Sequence, residues 1–482
     1  MRLISLFLLA AASTIPGALH AQDSLDAPAS LDARDSLAAQ GSFDGSRSGL
    51  SSLRSARHAD PADDREDAID PVAELLMRLE SGTAVLERDP AFGFLPAVLE
   101  ELDIPLSSQS LVFSRTSLQV DMIAPWAPRA LYFNDDVYVG YTVDGLVLEL
   151  AGVDPDGGSV FYTIDQYADD AVELRRDELT CKGCHSTGVT GGVSGVMMRS
   201  FLTDRMGNAV TPIDERPTDD RTPMAQRFGG WYVTGTHSLP HAGNTRAEEM
   251  VHEIDQPTRF LDGFDVHAGG NLGSLDGHFE ASFYMTTSSD IVALLVLAHQ
   301  TRVHNLITIA AEEAEGAFAE HELSRLAAAA RNEGVDAAPE AQTGEITGAA
   351  ADRLGYAVRS LVRGMLFYRA EPIGRVEGTS TFAADFAARG PWDSQGRSLR
   401  DFSLDGRLFE HPLSFLVYSD AWNALPSAVK DRAYALMHEI LTGDDDPDFP
   451  LLDENIRAAV LEILLETKPD FAAFLDARSI AY

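Results

Sequence analysis

The chain has 482 residues, 75 of them acidic and 37 basic, for a formal net charge of −38, and 45% are hydrophobic. That length supports one large or two ordinary domains with ample core, and the composition is that of a globular protein. The charge argues against nucleic acid or anionic lipid as a partner; it suits a solvated acidic surface, the plainer reading, or a basic redox partner.

Met1-Arg2 form a short basic start, residues 3–12 an apolar run, and Ala18-Leu19-His20-Ala21 a small-residue cleavage site. The run is too short to cross a bilayer, so the expectation is a signal peptide over 1–21 and a periplasmic or secreted product with no membrane span in the mature chain. No cysteine follows it, which argues against a lipid anchor. Residues 22–68 are rich in Asp, Ser, Ala and Arg and poor in aromatics. They cannot bury enough apolar surface to order themselves and are expected to form a disordered linker.

Folded sequence is expected from Asp70-Pro71, a cap followed by proline at the first helical position, with Val72, Leu75, Leu76 and Leu79 at helical spacing. A second helix is expected over about 95–102, ahead of Pro105. The texture then changes. Val137 to Tyr141, Leu146 to Leu150 and Val160 to Thr163 are β-rich runs separated by Asp144-Gly145 and a turn over 154–158. They predict a small antiparallel β-meander, the core of an N-terminal α/β segment over 69–172.

The meander leads to Arg175-Arg176 and then to Cys181-Lys182-Gly183-Cys184-His185, which contains both cysteines of the chain. C-x-x-C-H is the attachment signature of a c-type haem. Two thiols three positions apart suit the two vinyl groups of one porphyrin, and the next residue brings an imidazole to the iron. The reading is therefore one haem c per chain, with Cys181 and Cys184 as thioether attachments and His185 as the proximal iron ligand. A dithiol redox pair, a zinc site and a chance match are the alternatives. The first has no need of His185, and the second lacks further ligands. An exported chain is where c-type attachment occurs, so the signal and the pentapeptide agree. Arg175 and Arg176 could pair with haem propionates; exposed salt bridges account for them equally well.

Residues 173–265 are read as a cytochrome c-like, haem-binding region. It includes a glycine-rich stretch, 188–195, and a second segment, Gly229 to Asn244, in which His237 and His241 lie among glycines and aromatics. His241 and then His237 are the leading candidates for the distal iron ligand; Met197, Met198, Met206 and Met224 are the others. A methionine would raise the reduction potential, and a second histidine would lower it relative to methionine. An open position would admit peroxide or another small ligand. The region 266–482 is expected to be helical, with amphipathic helices over about 291–311, 349–367, 426–442 and 456–465 and a Glu- and Ala-rich, solvated helical excursion over 311–338. A long loop is expected over 375–402. His299 and His304 stand about 140° apart on a helix and are read as packing residues. The fold class expected is α+β, mainly α: a haem site set in a larger helical fold, with a small antiparallel β-meander before the haem motif.

Several stretches together resemble a family of large exported bacterial proteins with a single cytochrome c-type haem domain. They are Leu131 to Gly140, Phe161 to Thr163, Cys181 to His185, Gly229 to Asn244, His299 to Thr301 with His304 to Thr308, and Ala388 to Phe402. The resemblance covers nearly all of the chain from Asp70. It implies the cofactor and the compartment and carries no substrate. Members often have methionine where this chain has Ala242, so a methionine ligand at that position is ruled out here. Two function classes follow: electron transfer between periplasmic partners, or a haem enzyme or sensor acting on a small ligand at an open iron. Whether the chain is an enzyme is left open.

Overall fold

The computed structural model describes residues 69–155, 157–168, 172–250, 263–331 and 346–478. The expected signal peptide, 1–21, and linker, 22–68, lie outside the described residues. The chain opens with α1 (Pro71–Glu80), capped by the Asp70 carboxylate, which accepts from the amides of Val72 (2.9 Å) and Ala73 (3.2 Å). The short α2 (Leu95–Glu101) follows. It stops before Asp103, whose positive φ of 51° ends the turn.

A six-stranded antiparallel sheet comes next, formed by β1 (Ser110–Val112), β2 (Arg129–Phe133), β3 (Val137–Tyr141), β4 (Val147–Asp154), β5 (Gly158–Asp165) and β6 (Leu174–Arg176). Each strand pairs with the next, so the sheet is a meander in sequence order. The three expected runs are β3, β4 and β5. The others were not read because β1 and β6 have only three residues each and β2 follows a proline-rich approach. Strands that short show little alternation. The sheet is therefore larger than expected. With 39% helix and 16% strand the fold is mixed α/β, a correction to the mainly helical expectation.

Alternation along the strands sends apolar side chains to both faces. Ala130, Tyr132, Val137, Val139, Leu148, Leu150, Val160 and Tyr162 pack with α1 and α2 in one apolar cluster. Phe133, Tyr138, Ala151, Val153 and Phe161 face the other, larger cluster, built from the C-terminal half. β6 runs on into α3 (Glu178–His185). The described residues between 186 and 290 form mostly loops, with a hairpin of β7 (Phe201–Thr203) and β8 (Ala209–Pro212) and the two-residue strand β9 (Thr236–His237).

The long helix α4 (Ile291–Arg331) joins the expected helix over 291–311 to the helical excursion expected after it. Residues Ile291 to Ala298 are buried on every side, as in a helix that passes through the middle of a core. Its start is fixed by Asp290, whose carboxylate accepts from the Val292 amide and from the amides of Thr379 and Ser380. α5 (Gly348–Met365) packs along α4 through Ala350, Leu354, Ala357, Val358 and Leu361. β10 (Val376–Glu377) pairs with β9. The expected loop over 375–402 contains α6 (Phe382–Ala387). A hairpin of β11 (Phe402–Asp405) and β12 (Arg407–Phe409) follows. α7 (Asp420–Ala424), α8 (Ser427–Thr442), α9 (Glu454–Thr467) and α10 (Pro469–Ala477) complete the fold. No helix among the described residues is long and apolar enough to cross a membrane.

Arg400 ties the two halves together. Its guanidinium lies between the rings of Phe386 (4.7 Å) and Phe415 (4.6 Å) and forms a two-pronged pair with Asp135 beside the sheet. His299 is enclosed, with Nδ1 2.8 Å from Asp220 Oδ2 and Nε2 2.8 Å from Ser414 Oγ. The order Asp–His–Ser is that of a hydrolase triad. However, Ser414 is wholly buried and also caps the turn at Leu416, so here the group locks α4 to the C-terminal half. His304 is equally buried, and its Nδ1 meets the Tyr138 hydroxyl at 2.8 Å.

Burial pushes His304 down from its ordinary 6.5 to about 4. A base with a depressed folded pKa contributes full stability above its unfolded pKa and loses it as the pH falls toward the folded value. That loss is on the order of 3 kcal/mol between pH 6.5 and 4. In urea titrations at pH 7, 5 and 4 the unfolding midpoint should fall, and His304→Gln should flatten part of that fall. Matching pH profiles for the two proteins would refute the assignment.

Candidate functional site

The pentapeptide occupies the second half of α3. Asp177 caps that helix, its carboxylate accepting from the Thr180 amide at 3.3 Å. At 100° per residue, Cys181, Cys184 and His185 fall within about 100° of one another on the helix surface. Cys181 is half-buried against the larger apolar cluster, Cys184 is exposed, and neither is in a disulfide. The space beside them is open: a Cβ on Gly183 or Gly188 would meet no atom within 4 Å.

His185 is held by a two-way clasp. Its Nδ1 donates to the Gly195 carbonyl at 2.9 Å, and the Gly195 amide donates back to the His185 carbonyl at 2.9 Å. A carbonyl can only accept, so the proton sits on Nδ1 and the lone pair on Nε2. Burial also pushes the imidazole below its ordinary pKa, which favours the neutral form. This is the state of an imidazole prepared to bind a metal through Nε2, oriented by a backbone carbonyl. The loop 186–195 is stitched shut by Thr190, whose hydroxyl donates to the Val193 carbonyl at 2.8 Å, and by the Ser159 amide, which donates to the Ser194 carbonyl at 3.0 Å.

The clasp in turn rests on α4. Asn305 Nδ2 donates to the Val196 carbonyl at 2.9 Å, and a Cβ on Gly195 would overlap the Asn305 side chain. Glycine is required there by close approach, not by φ. On the sheet side, the Phe161 ring lies 4.7 Å from the His185 ring. Next to Phe161 on the same face is Glu149, whose Oε2 accepts from Arg129 Nη2 at 2.5 Å. The Arg129 guanidinium lies across Gly140, where any Cβ would overlap it.

The two distal candidates are not brought to His185. Their rings lie 4.1 Å from each other, and His241 meets Phe228 at 5.9 Å. They belong to the start of α4: Gly235 packs against Ile291, whereas Gly195 packs against Asn305. Those two anchor points are about 21 Å apart along the helix axis. The pair also differs in tautomer. His237 Nδ1 donates to the Leu239 carbonyl at 2.5 Å, leaving the lone pair on Nε2. His241 Nδ1 accepts from the Gly243 amide at 3.0 Å, so its proton sits on Nε2 and no lone pair is available there. Both Nε2 atoms are buried without a partner. Met198 and Met224 are core residues, and Met197 and Met206 are half-buried. Arg175 pairs with Glu173 at the surface.

Of the rival readings, a thiol redox pair needs a lowered thiol pKa and usually stands at a helix start. Here burial pushes Cys181 up to about 12, with Asp177 and Glu149 adding to it, and the pair stands in the last turns. A bare metal ion is also poorly served. Among the described residues no three His, Cys, Asp or Glu side chains are grouped to hold one. The clasp and the walls around His185 were only partly readable in the sequence. The glycine stretch and Asn305 lay in segments singled out there, but nothing marked Gly195 as the orienting residue, and Arg129 and Glu149 carried no signal. No protein family, curated protein or solved structure matches the chain.

Gly195→Ala should force the loop off α4 and cost about 1–3 kcal/mol, measured as a lower urea midpoint. Gly188→Ala, with open space and no strained φ, should be nearly neutral. Equal effects of the two would remove the close-approach argument.

Proposed function

We propose that the chain is an exported c-type cytochrome with one haem, attached through Cys181 and Cys184 and ligated by His185, that transfers electrons between periplasmic partners. The family resemblance, with its exported single-haem proteins, belongs to the same proposal. The observation that carries it is the His185–Gly195 clasp: one helical turn from two unpaired thiols, an imidazole has its Nδ1 proton fixed and its Nε2 lone pair kept for a ligand. When bound, haem supplies one-electron chemistry and an iron that can accept a small sixth ligand.

The protein's share of the work is to hold and orient. α3 presents the thiols on an open surface. The Gly195 carbonyl sets the imidazole plane and strengthens its basicity. Phe161 and the apolar cluster behind Cys181 lower the local dielectric on the buried side. The acidic surface, with its net charge of −38, suits a basic partner that docks and leaves quickly.

A second reading, small-ligand chemistry at an exchangeable sixth position, is favoured by one observation. His241 Nδ1 is occupied as an acceptor, and the His237–His241 pair is anchored at the far end of the buried part of α4. The two readings separate experimentally. Expressed with a c-type maturation system, the protein should stain for haem on a denaturing gel, and Cys184→Ser should lose most of that stain; undiminished stain would refute covalent attachment. Rapid carbon monoxide binding by the ferrous protein would favour the exchangeable site, and none would favour the carrier. His241→Ala should leave the ferric spectrum unchanged; a shifted Soret band would place His241 on the iron.

A further inference from the structure

On the larger-cluster face of the sheet the ion pair Arg129–Glu149 is mostly covered, whereas Arg175–Glu173 on the same face, at the β6 edge, is exposed. The Arg129 and Glu149 side chains are 17% and 16% exposed. Burying such a pair gains little stability, because desolvation offsets attraction. A stability role alone therefore does not explain its placement, whereas the seat is built for it. Gly140 on β3 leaves the room the guanidinium fills. Gln119 holds the other side of the carboxylate, its Nε2 lying 3.3 Å from Glu149 Oε1 and 3.0 Å from the Val147 carbonyl. Arg129 Nε is buried with no acceptor. The guanidinium thus presents a donor that its partner does not use.

The position is fixed by register. Ala151 stands opposite Phe161, and Glu149 stands opposite Thr163, one same-face step along. Same-face and diagonal neighbours on a sheet lie about 7–8 Å apart. Phe161 touches His185, Glu149 lies diagonal to Phe161 on the same face, and the charges of Arg129 and Glu149 are felt at both Cys181 and His185. Charges at that range, shielded from water, act strongly on any group whose own charge changes.

We propose that Arg129 and Glu149 set the reduction potential of the site: Arg129 favours the reduced iron, and Glu149 the oxidised. This rests on the haem reading above. Reduction adds one electron at the iron, so a nearby positive charge stabilises the product and raises the potential. A negative charge does the reverse. Held together, the two nearly cancel, and any change that separates them moves the potential.

The test is spectroelectrochemical titration of the matured, haem-stained protein and three variants. Arg129→Gln should lower the midpoint potential. Glu149→Gln, nearly isosteric, should raise it. Arg129→Lys keeps the charge and should lie nearer the parent than Arg129→Gln does. Midpoints that coincide for all four proteins, or shifts of the opposite sign, overturn the proposal. A parent protein that never acquires haem overturns the cytochrome reading instead, so the two failures are distinguishable. Should Arg129→Gln fold poorly, Glu149→Gln alone still decides, since a repacking effect carries no required sign and the electrostatic one must be upward.

Discussion

A sheet buried on both faces constrains everything around it. Its strands put tyrosine, valine and leucine on one side and phenylalanine, tyrosine and alanine on the other, so neither face can be left in water. Two short helices, with Tyr232, Leu275 and Tyr284 from the loops before α4, cover the first. The second requires a large body of chain, and the fold provides it with a helix of 41 residues whose first turns are surrounded by apolar side chains. α3 and its glycine loop are wedged between that helix and the sheet. This explains why so large a protein surrounds one short motif. The motif is held by the joint between two layers and not by a local cytochrome-like bundle.

The same joint decides the state of the histidines. His185, His237 and His241 are chemically identical side chains, yet the backbone around each selects a different role. A carbonyl at Nδ1 leaves the Nε2 lone pair of His185 and His237 free, whereas an amide at Nδ1 removes that option from His241. Ligand competence is thus a property of the neighbouring peptide group, and it can be read from hydrogen-bond direction without any metal present. His299 shows the opposite case. With both nitrogens engaged by Asp220 and Ser414, it is committed to structure.

Electrostatics act at two scales. The net charge of −38 is a property of the whole chain and acts at long range. Within the fold, charge is used sparingly and in pairs. Arg400 between two phenylalanines joins the halves, and Arg129 over Gly140 is paired with Glu149 on the face of the sheet that carries Phe161. The second pair is mostly covered, so the local dielectric is low. One unit of charge there matters more than many at the surface.

Local chemistry made much of this legible in the sequence. Asp70-Pro71 specified a helix start because a carboxylate cap and a proline without an amide hydrogen both fit only there. The long strands β3 to β5 announced themselves by alternation and by their turns. The pentapeptide stood out by its spacing, two thiols and an imidazole that the helix brings to one side. The remaining strands were too short to carry a period, and the helix inside 375–402 too short to outweigh the glycines and Pro391 around it. What the sequence by itself determined was therefore whatever depends on neighbours in the chain: caps, periods, turns and the spacing of two thiols and an imidazole. Only the tertiary structure decided that Gly195 would orient His185, that His237 and His241 would stand at the other end of a helix, and that Arg129 would lie beside the site. Each of these depends on groups brought together from distant parts of the chain by the burial of a two-faced sheet.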